Sequence, residues 1–188
     1  MRIPSLFIAT ALALLARATL SSAAELIDST WQHDVPREEI APAFGFEEKG
    51  GRDSAPALRI QSGDQEGLSG QWFKVVPVEG GQSYHFSVER RCEGVPAARR
   101  EVPARIVWQD DAGNPVAHEG PTVTTVLAGW KPKAEPEYPA DGETDAQGWT
   151  TVSGTYRAPA AATHARLELY LQWAPRATVL WSHASFDR

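Results

Sequence analysis

The sequence predicts an all-β fold, a two-sheet antiparallel β-sandwich of the jelly-roll type. After residue 24, apolar and polar residues alternate with a period of two in several short runs. Clusters of Gly, Pro, Asn and Asp separate these runs. No long window after residue 24 has apolar residues at helical spacing. Many short strands joined by such turns are typical of a sandwich or jelly roll.

Seven strands are predicted in chain order, at Ala57–Gln61, Gln71–Val78, Ser83–Cys92, Ala104–Gln109, Trp149–Tyr156, Ala165–Trp173 and Val179–Phe186. In the third strand Tyr84, Phe86 and Val88 oppose polar residues, and in the fourth Ile106 and Trp108 do so. The sixth strand alternates most clearly and therefore has one core face and one solvent face. Its apolar face comprises Leu167, Leu169, Leu171 and Trp173, and its polar face comprises Arg166, Glu168, Tyr170 and Gln172.

Turn residues mark the ends of these strands. Glu79-Gly80-Gly81 is predicted to join the second and third strands, and residues 110–114 to close a turn after the fourth. Residues 119–148 are rich in proline and are predicted to form a long loop, a kind of loop that is usually functional or mobile. Pro36 can start a single helical turn, which Pro42 stops.

The composition excludes several classes of protein. The chain has 188 residues, 42% of them hydrophobic, with 7 tryptophans and a formal net charge of -6. The hydrophobic content and the tryptophans disfavour intrinsic disorder, and the negative net charge disfavours a nucleic-acid partner. No apolar stretch after the N-terminus is long enough to span a membrane. Because Cys92 is the single cysteine, it is expected to be buried, reactive or paired with another chain.

Residues 1–24 have the pattern of a secretory signal peptide. Arg2 precedes an apolar run over residues 3–16, and small residues follow as far as Ala24. Arg17 interrupts the apolar stretch, which disfavours a retained membrane span. We therefore expect cleavage before Glu25, a secreted or periplasmic location, and a single module over residues 25–188.

The tryptophans divide between predicted core positions and candidate contacts. Four lie in or beside alternating apolar runs and are predicted to pack in the core, namely Trp72, Trp108, Trp173 and Trp181. Trp130, in the long loop, and Trp31, near the predicted mature N-terminus, remain as candidates for exposed ligand contacts.

Three C-terminal segments resemble the last strands of the galactose-binding-like jelly roll, a fold shared by many carbohydrate-binding modules. They are residues 148–159, 165–173 and 179–186. Residues 77–87 resemble an earlier strand, turn and strand of that fold, and residues 106–113 resemble its next hairpin. The resemblance implies the fold together with a non-catalytic module whose ligand is a carbohydrate.

Four further segments are similar to N-terminal modules of secreted bacterial proteins that continue into a nitrilase-like carbon–nitrogen hydrolase domain. They are residues 108–111, 129–132, 135–139 and 171–175. This resemblance implies that the catalytic Glu, Lys and Cys of such a hydrolase lie in an appended domain. The chain would then be an accessory or spacer domain that packs against the hydrolase and binds no sugar.

Carbohydrate recognition requires aromatic faces for stacking and planar polar groups that hydrogen-bond hydroxyls in pairs. The polar strand faces and the long loop offer such groups. The candidate ligand-binding residues are Tyr170, Gln172, Arg105, Gln109, His85, Glu89, Trp130 and Tyr138. The alternative is that these faces are only solvated, with Trp130 packed under its own loop.

Arginines are concentrated between residues 90 and 105. They are Arg90, Arg91, Arg99, Arg100 and Arg105. Such a patch could bind uronic or sulfated sugars, or dock onto a partner domain. The alternative is a solvated edge that prevents unwanted strand pairing.

A structural calcium ion is an open alternative, with its ligands unknown. Residues 141–145 alternate carboxylates, and Glu47, Glu48 and Asp187 could converge near the chain ends. The five histidines show no paired metal-ligand spacing, which disfavours zinc.

Catalysis within the chain is the competing class of function. A β-sandwich glycosidase would need two carboxylates about 5–9 Å apart across a cleft, and Glu89 and Glu168 are the candidates on strands. Cys92 beside Arg90 and Arg91 could have a lowered pKa, but no local histidine signature accompanies it. We therefore expect no catalytic residue in this chain.

Overall fold

The computed structural model, which describes residues 25–120 and 132–188, contains ten strands. The strands are β1 (Gln32–Asp34), β2 (Ala43–Glu47), β3 (Ala57–Gln61), β4 (Ser69–Pro77), β5 (Ser83–Glu93), β6 (Ala104–Gln109), β7 (Ala140–Thr144), β8 (Trp149–Arg157), β9 (His164–Gln172) and β10 (Thr178–Asp187). One short helix, α1, spans Ala98–Glu101, and single 3-10 turns span Glu38–Ile40 and Arg52–Ser54.

The strands form two antiparallel sheets. A four-stranded sheet has the order β1-β4-β9-β6, and a six-stranded sheet has the order β2-β3-β10-β5-β8-β7. This arrangement confirms the predicted all-β sandwich. Within the described ranges, no helix is both long and apolar enough to cross a lipid bilayer.

The core lies between the two sheets and belongs to both. Alternation along each strand sends every second side chain inward. Ile106, Leu167 and Leu169 come from the four-stranded sheet, and Phe86 and Trp181 come from the six-stranded sheet, in one continuous buried cluster. Full burial of a side chain of this size contributes about 1.5–3 kcal/mol to stability.

All seven predicted strands are present, with bounds that agree to within two residues. The helical turn predicted after Asp34 is found at Glu38–Ile40, and the predicted turn at residues 79–81 joins β4 to β5. β1, β2, β7 and α1 were not predicted. Because β7 lies within residues 119–148, the prediction of a continuous loop there is wrong; residues 121–131 of that segment lie outside the described ranges.

The structure corrects one core assignment and one exposed assignment among the tryptophans. Trp72, Trp108 and Trp181 are buried, as predicted. Trp173 is 55% exposed because β9 ends one residue before it and the backbone turns away there. Trp31 was expected to be exposed but is buried, and its indole Nε1 donates a hydrogen bond of 2.8 Å to the Leu26 carbonyl.

The polar face of β9 is less open than its sequence predicts. Arg166 and Gln172 are partly exposed, but Glu168 and Tyr170 are buried. Arg105 from β6 and Arg166 from β9 itself bond to Glu168, and Arg105 also covers the Tyr170 ring. The middle of the polar face of β9 is therefore a buried polar cluster and not a solvated surface.

Candidate functional site

A cavity of about 270 Å³ lies at one end of the outer face of the four-stranded sheet. β6 and β9 supply its floor, the connection from β5 to β6 supplies one wall, and the residues just before β7 and just after β9 supply the rim. The lining residues are Arg99, Arg100, Pro103, Arg105, Tyr138, Tyr170, Gln172 and Trp173.

Two exposed aromatic side chains form the rim. Tyr138 is 47% exposed and Trp173 is 55% exposed, and no large hydrophobic side chain in the described ranges is more exposed than these two. A lone exposed aromatic residue is ordinary, but two at one cavity form an apolar edge that is available for contact.

Trp173 has a left-handed backbone, with φ of +63°. Its N–H donates a hydrogen bond of 2.8 Å to the Leu68 carbonyl, which fixes the chain as it leaves β9. A left-handed conformation costs a bulky residue about 1–2 kcal/mol. Such strain is concentrated at functional sites in proteins, where the surrounding structure holds it in place. The backbone conformation at Trp173, and not packing in the core, therefore sets the position of the indole ring.

Glu168 organises the floor of the cavity. Its side chain is 4% exposed, and its carboxylate accepts hydrogen bonds from Arg105 Nε, from Arg166 Nε at 2.7 Å and from the Tyr170 hydroxyl at 3.2 Å. A buried carboxylate without such partners would be strongly destabilising. The three donors satisfy it, and in return it fixes their side chains.

Arg105 and Tyr170 form a stacked pair above this carboxylate. The Arg105 guanidinium carbon lies 4.5 Å from the centre of the Tyr170 ring. Burial lowers the pKa of Arg105, but the hydrogen bond and the Coulomb attraction to Glu168 outweigh it and raise the pKa above its usual value. Burial and the Glu168 carboxylate together raise the pKa of Tyr170. The cavity floor thus keeps a charged guanidinium and a neutral phenol.

Hydrogen bonds to backbone carbonyls attach the wall of the cavity to its floor and rim. Gln172 Nε2 donates to the Arg100 carbonyl at 2.8 Å. Arg99 donates to the Tyr138 carbonyl at 3.2 Å and to the Pro139 carbonyl. The cavity is therefore formed before any ligand arrives.

The structure brings together four of the eight predicted site residues, Arg105, Tyr138, Tyr170 and Gln172. Gln109 lies at the opposite end of β6, where its Nε2 donates to the Gly113 carbonyl at 2.9 Å. Trp130 lies outside the described residues.

The other two predicted residues lie on the other sheet. His85 and Glu89 are on β5 and face outward from the six-stranded sheet, because Phe86 and Val88, which alternate with them, point into the core. His85 Nδ1 is 3.1 Å from Thr155 Oγ1, and Glu89 accepts a hydrogen bond of 2.7 Å from Arg52. They cannot share a surface with the cavity, so a single site made of all eight residues is wrong.

The predicted arginine patch is also divided. Arg90 is buried, donates to the Val102 carbonyl at 2.8 Å and pairs with Asp141 at 2.9 Å. Arg91 lies over the Trp149 ring at 5.0 Å on the six-stranded sheet. Only Arg99, Arg100 and Arg105 of the five reach the cavity.

Sequence reasoning missed Trp173 as a site residue because alternation continues through it. Ala174 and Pro175 follow directly, and a proline cannot continue a central strand. That proline was the available signal that the strand ends near Gln172 and that Trp173 leaves the core face.

Three of the six carboxylates considered as calcium ligands are paired with arginines. Asp141 pairs with Arg90, Asp145 pairs with Arg52 at 3.1 Å, and Glu47 pairs with Arg59 at 2.8 Å. In residues 25–120 and 132–188 no group of three or more His, Cys, Asp or Glu side chains is placed to hold a metal ion. A bound calcium ion stays a prediction.

The catalytic alternatives fit the structure poorly. Glu89 and Glu168 lie on different sheets and face outward in opposite directions, so they cannot flank one glycosidic bond. Burial raises the pKa of the Cys92 thiol to about 11, against the lowering that a reactive thiolate needs. The geometry thus gives no support to a catalytic pair of Glu89 and Glu168, and burial disfavours a thiolate at Cys92.

No family model and no curated protein matches the chain, but solved structures share its fold. A Clostridium thermocellum endo-1,4-β-D-xylanase with CBM22-1 and GH10 modules, complexed with xylohexaose, superposes with a TM-score of 0.53 at 15% identity, over 84% of this chain and 26% of that one. A family 16 carbohydrate-binding module gives 0.54 at 9% identity, over 84% and 90%.

The enzymatically active domain of bacteriophage CBA120 tailspike protein 4 gives a TM-score of 0.55 at 8% identity, over 85% of this chain and 19% of that one. The chain thus spans about a quarter of the xylanase chain and a fifth of the tailspike chain, but nearly all of the isolated module. Its fold is a β-sandwich like that of carbohydrate-binding modules.

Proposed function

We propose that the chain is a non-catalytic carbohydrate-binding module of a secreted or periplasmic protein, and that it binds glycan in the cavity on the four-stranded sheet. The observation that carries the proposal is that Tyr138 and Trp173, the most exposed large aromatic side chains in the described ranges, line this same cavity. The carbohydrate-binding modules among its structural neighbours support it.

The proposed mechanism is stacking combined with paired hydrogen bonds. The C–H face of a sugar ring packs on Trp173 and Tyr138, as aromatic side chains favour. Arg105 offers guanidinium donors, and Gln172 offers its amide oxygen, since its Nε2 is already bonded to the Arg100 carbonyl. Because Glu168 holds Arg105 and Tyr170 in place, these two side chains lose little conformational entropy when a ligand binds.

The cavity volume favours a short stretch of glycan. Sites for small ligands usually measure about 300–1,000 Å³, and this cavity is slightly smaller and open at its aromatic rim. A shallow site of this kind buries little area, so we expect weak affinity for a single sugar unit.

The test is binding of the purified full-length chain to a panel of soluble polysaccharides by affinity electrophoresis and calorimetry. Trp173→Gly suits the left-handed backbone and removes the whole indole side chain. Because an aromatic stacking contact contributes about 0.5–1.5 kcal/mol beyond area burial, Trp173→Gly and Tyr138→Ala should each weaken binding about tenfold, the ratio that corresponds to about 1.4 kcal/mol.

Phe46→Ala is the matched control, because Phe46 is an exposed aromatic residue on β2 of the other sheet. It should bind like the wild-type chain. Wild-type affinity in both cavity variants would refute the proposed site. Absence of binding to every polysaccharide would favour the accessory domain that packs against an appended hydrolase.

A further inference from the structure

The charged residues that line the cavity all have the same sign. They are Arg99, Arg100 and Arg105, and no carboxylate is among the lining residues. This runs against the composition of the whole chain, whose formal net charge is -6. A positive cavity in an acidic protein favours anionic ligands over neutral ones.

The counter-ions of these arginines lie beneath them. Glu168 pairs with Arg105, and Glu101 pairs with Arg100 at 2.9 Å; both carboxylates are only 4% exposed. The Arg99 and Arg100 side chains, by contrast, are 53% and 69% exposed. Carboxylates therefore fix the guanidinium groups from below, and the cavity itself presents positive charge.

The local ion pairs leave one positive charge in excess. The ion pairs fall into three separate groups. Their five arginines are Arg90, Arg99, Arg100, Arg105 and Arg166, and their four carboxylates are Asp34, Glu101, Asp141 and Glu168. Arg99 has the weakest pair of the set, 3.8 Å from Asp141, whose closer partner is Arg90. The excess charge is therefore at the exposed wall, beside Arg99 and Arg100.

Guanidinium N–H groups remain at this wall beyond those that are bonded to the protein. Arg100 donates to Glu101 through Nη2, and Arg99 donates to the Tyr138 and Pro139 carbonyls through Nη2 and Nη1. Each of these terminal nitrogens carries a second N–H group. The planar guanidinium fork matches the two oxygens of a carboxylate, and such charge-assisted bonds are about twice as strong as neutral ones.

We infer that the cavity selects a glycan whose sugar units carry a carboxylate, such as a polyuronide. This inference rests on the proposed function and adds the chemical class of the ligand. One uronate neutralises the single excess charge, with its ring on Trp173 and its carboxylate facing Arg99 and Arg100. A sulfate ester has the same charge and can also accept two guanidinium hydrogen bonds, so a sulfated polymer is included as the competing anion in the test.

The experiment compares polymers that differ only in charge. Polygalacturonate and alginate are each paired with their carboxyl-reduced forms, in which the carboxylate becomes a hydroxymethyl group and the linkages are kept; dextran sulfate is the sulfated probe. The full chain should bind at least one polyuronide about tenfold more tightly than its reduced form, equivalent to about 1.4 kcal/mol. This preference should shrink as NaCl screens the exposed charges, whose Debye length falls to about 3 Å at 1 M salt.

The double variant Arg99→Gln and Arg100→Gln should bring the affinity ratio between each polyuronide and its reduced form to about one. Arg188→Gln is the control, because Arg188 is an exposed arginine paired with Glu79 away from the cavity. It should leave the ratio unchanged.

The outcomes separate this inference from the proposed function. Equal affinity for each polymer pair, or tighter binding of dextran sulfate than of both polyuronides, would overturn the uronate inference alone, provided that Trp173→Gly still weakens binding. Polyuronide binding that Trp173→Gly leaves intact would overturn the proposed site. Failure to bind any of these polymers would overturn the uronate inference, whereas the proposed function would be overturned only by absence of binding across the whole polysaccharide panel.

Discussion

Glu168 connects the stability of the chain to its binding site. This buried carboxylate accepts hydrogen bonds from Arg105, Arg166 and Tyr170. Replacement of one partner in a buried ion pair costs about 3–5 kcal/mol, and Glu168→Gln keeps the shape and one oxygen acceptor. We therefore expect its free energy of unfolding in urea to fall by about 3 kcal/mol, the low end of that range.

Glu79→Gln is the matched control for this prediction. Glu79 pairs with Arg188 at 2.8 Å, but both side chains are exposed. Exposed ion pairs contribute about 0–1 kcal/mol, so the unfolding midpoint should barely move. Equal midpoints for Glu79→Gln and Glu168→Gln would contradict the organising role of Glu168.

The individual site residues were predictable where alternation decides the side chain's direction. Tyr170 and Gln172 share one face of β9 because they are two residues apart, and Arg105 opposes Ile106 on β6 for the same reason. His85 and Glu89 obey the same rule and also face outward. Alternation shows which residues of a strand face outward, but it does not show which of the two sheets contains that strand. For this reason the predicted site residues lie on two different sheets.

At the scale of elements, strands with an apolar core face were predictable and fully exposed strands were not. β5, β6 and β9 each have an apolar core face. β1 and β7 are exposed at every position, so no hydrophobic pattern marks them. β7 instead depends on its pairing with β8 and on the turn after it, where the Asp145 carboxylate accepts the N–H groups of Gln147 and Trp149 at 2.9 Å each.

The turn between β4 and β5 provides a prediction at the same scale. A Cβ added to Gly80 would lie 2.2 Å from the carbonyl oxygen of Ala160, in the connection between β8 and β9. Because that neighbour is backbone, it cannot rotate away, and overpacking of this kind costs about 1–3 kcal/mol. Gly80→Ala should lower the melting temperature measured by circular dichroism.

Gly63→Ala is the comparison for Gly80→Ala. A Cβ at Gly63 meets no atom within 4 Å, so this variant should melt within a degree or two of the wild-type chain, about the shift that 0.5 kcal/mol causes in a domain of this size. If Gly80→Ala had the same melting temperature as Gly63→Ala, the close approach of the two connections would be refuted.

At the scale of the whole molecule, the shared core predicts a single unfolding transition. One continuous cluster includes Leu167 of the four-stranded sheet and Trp181 of the six-stranded sheet, so neither sheet can lose its core face alone. Far-ultraviolet circular dichroism and tryptophan fluorescence should therefore give the same urea midpoint. Two separated midpoints would show that the sheets unfold independently.

A reducing agent serves as the control for that experiment. The chain has a single cysteine and hence no internal disulfide. The midpoint should be the same with and without reductant, because the packed core and the strand pairing hold the sandwich together.

The left-handed Trp173 has a consequence for redesign. The wall of the cavity comes from α1 and its rim from short connections before β7 and after β9, whereas most of the core comes from the strands. New ligand preferences can therefore be installed by exchanging residues 99, 100, 138 and 173 on an unchanged scaffold. Such exchanges would change the binding surface and leave the packed core, and therefore the fold, unchanged.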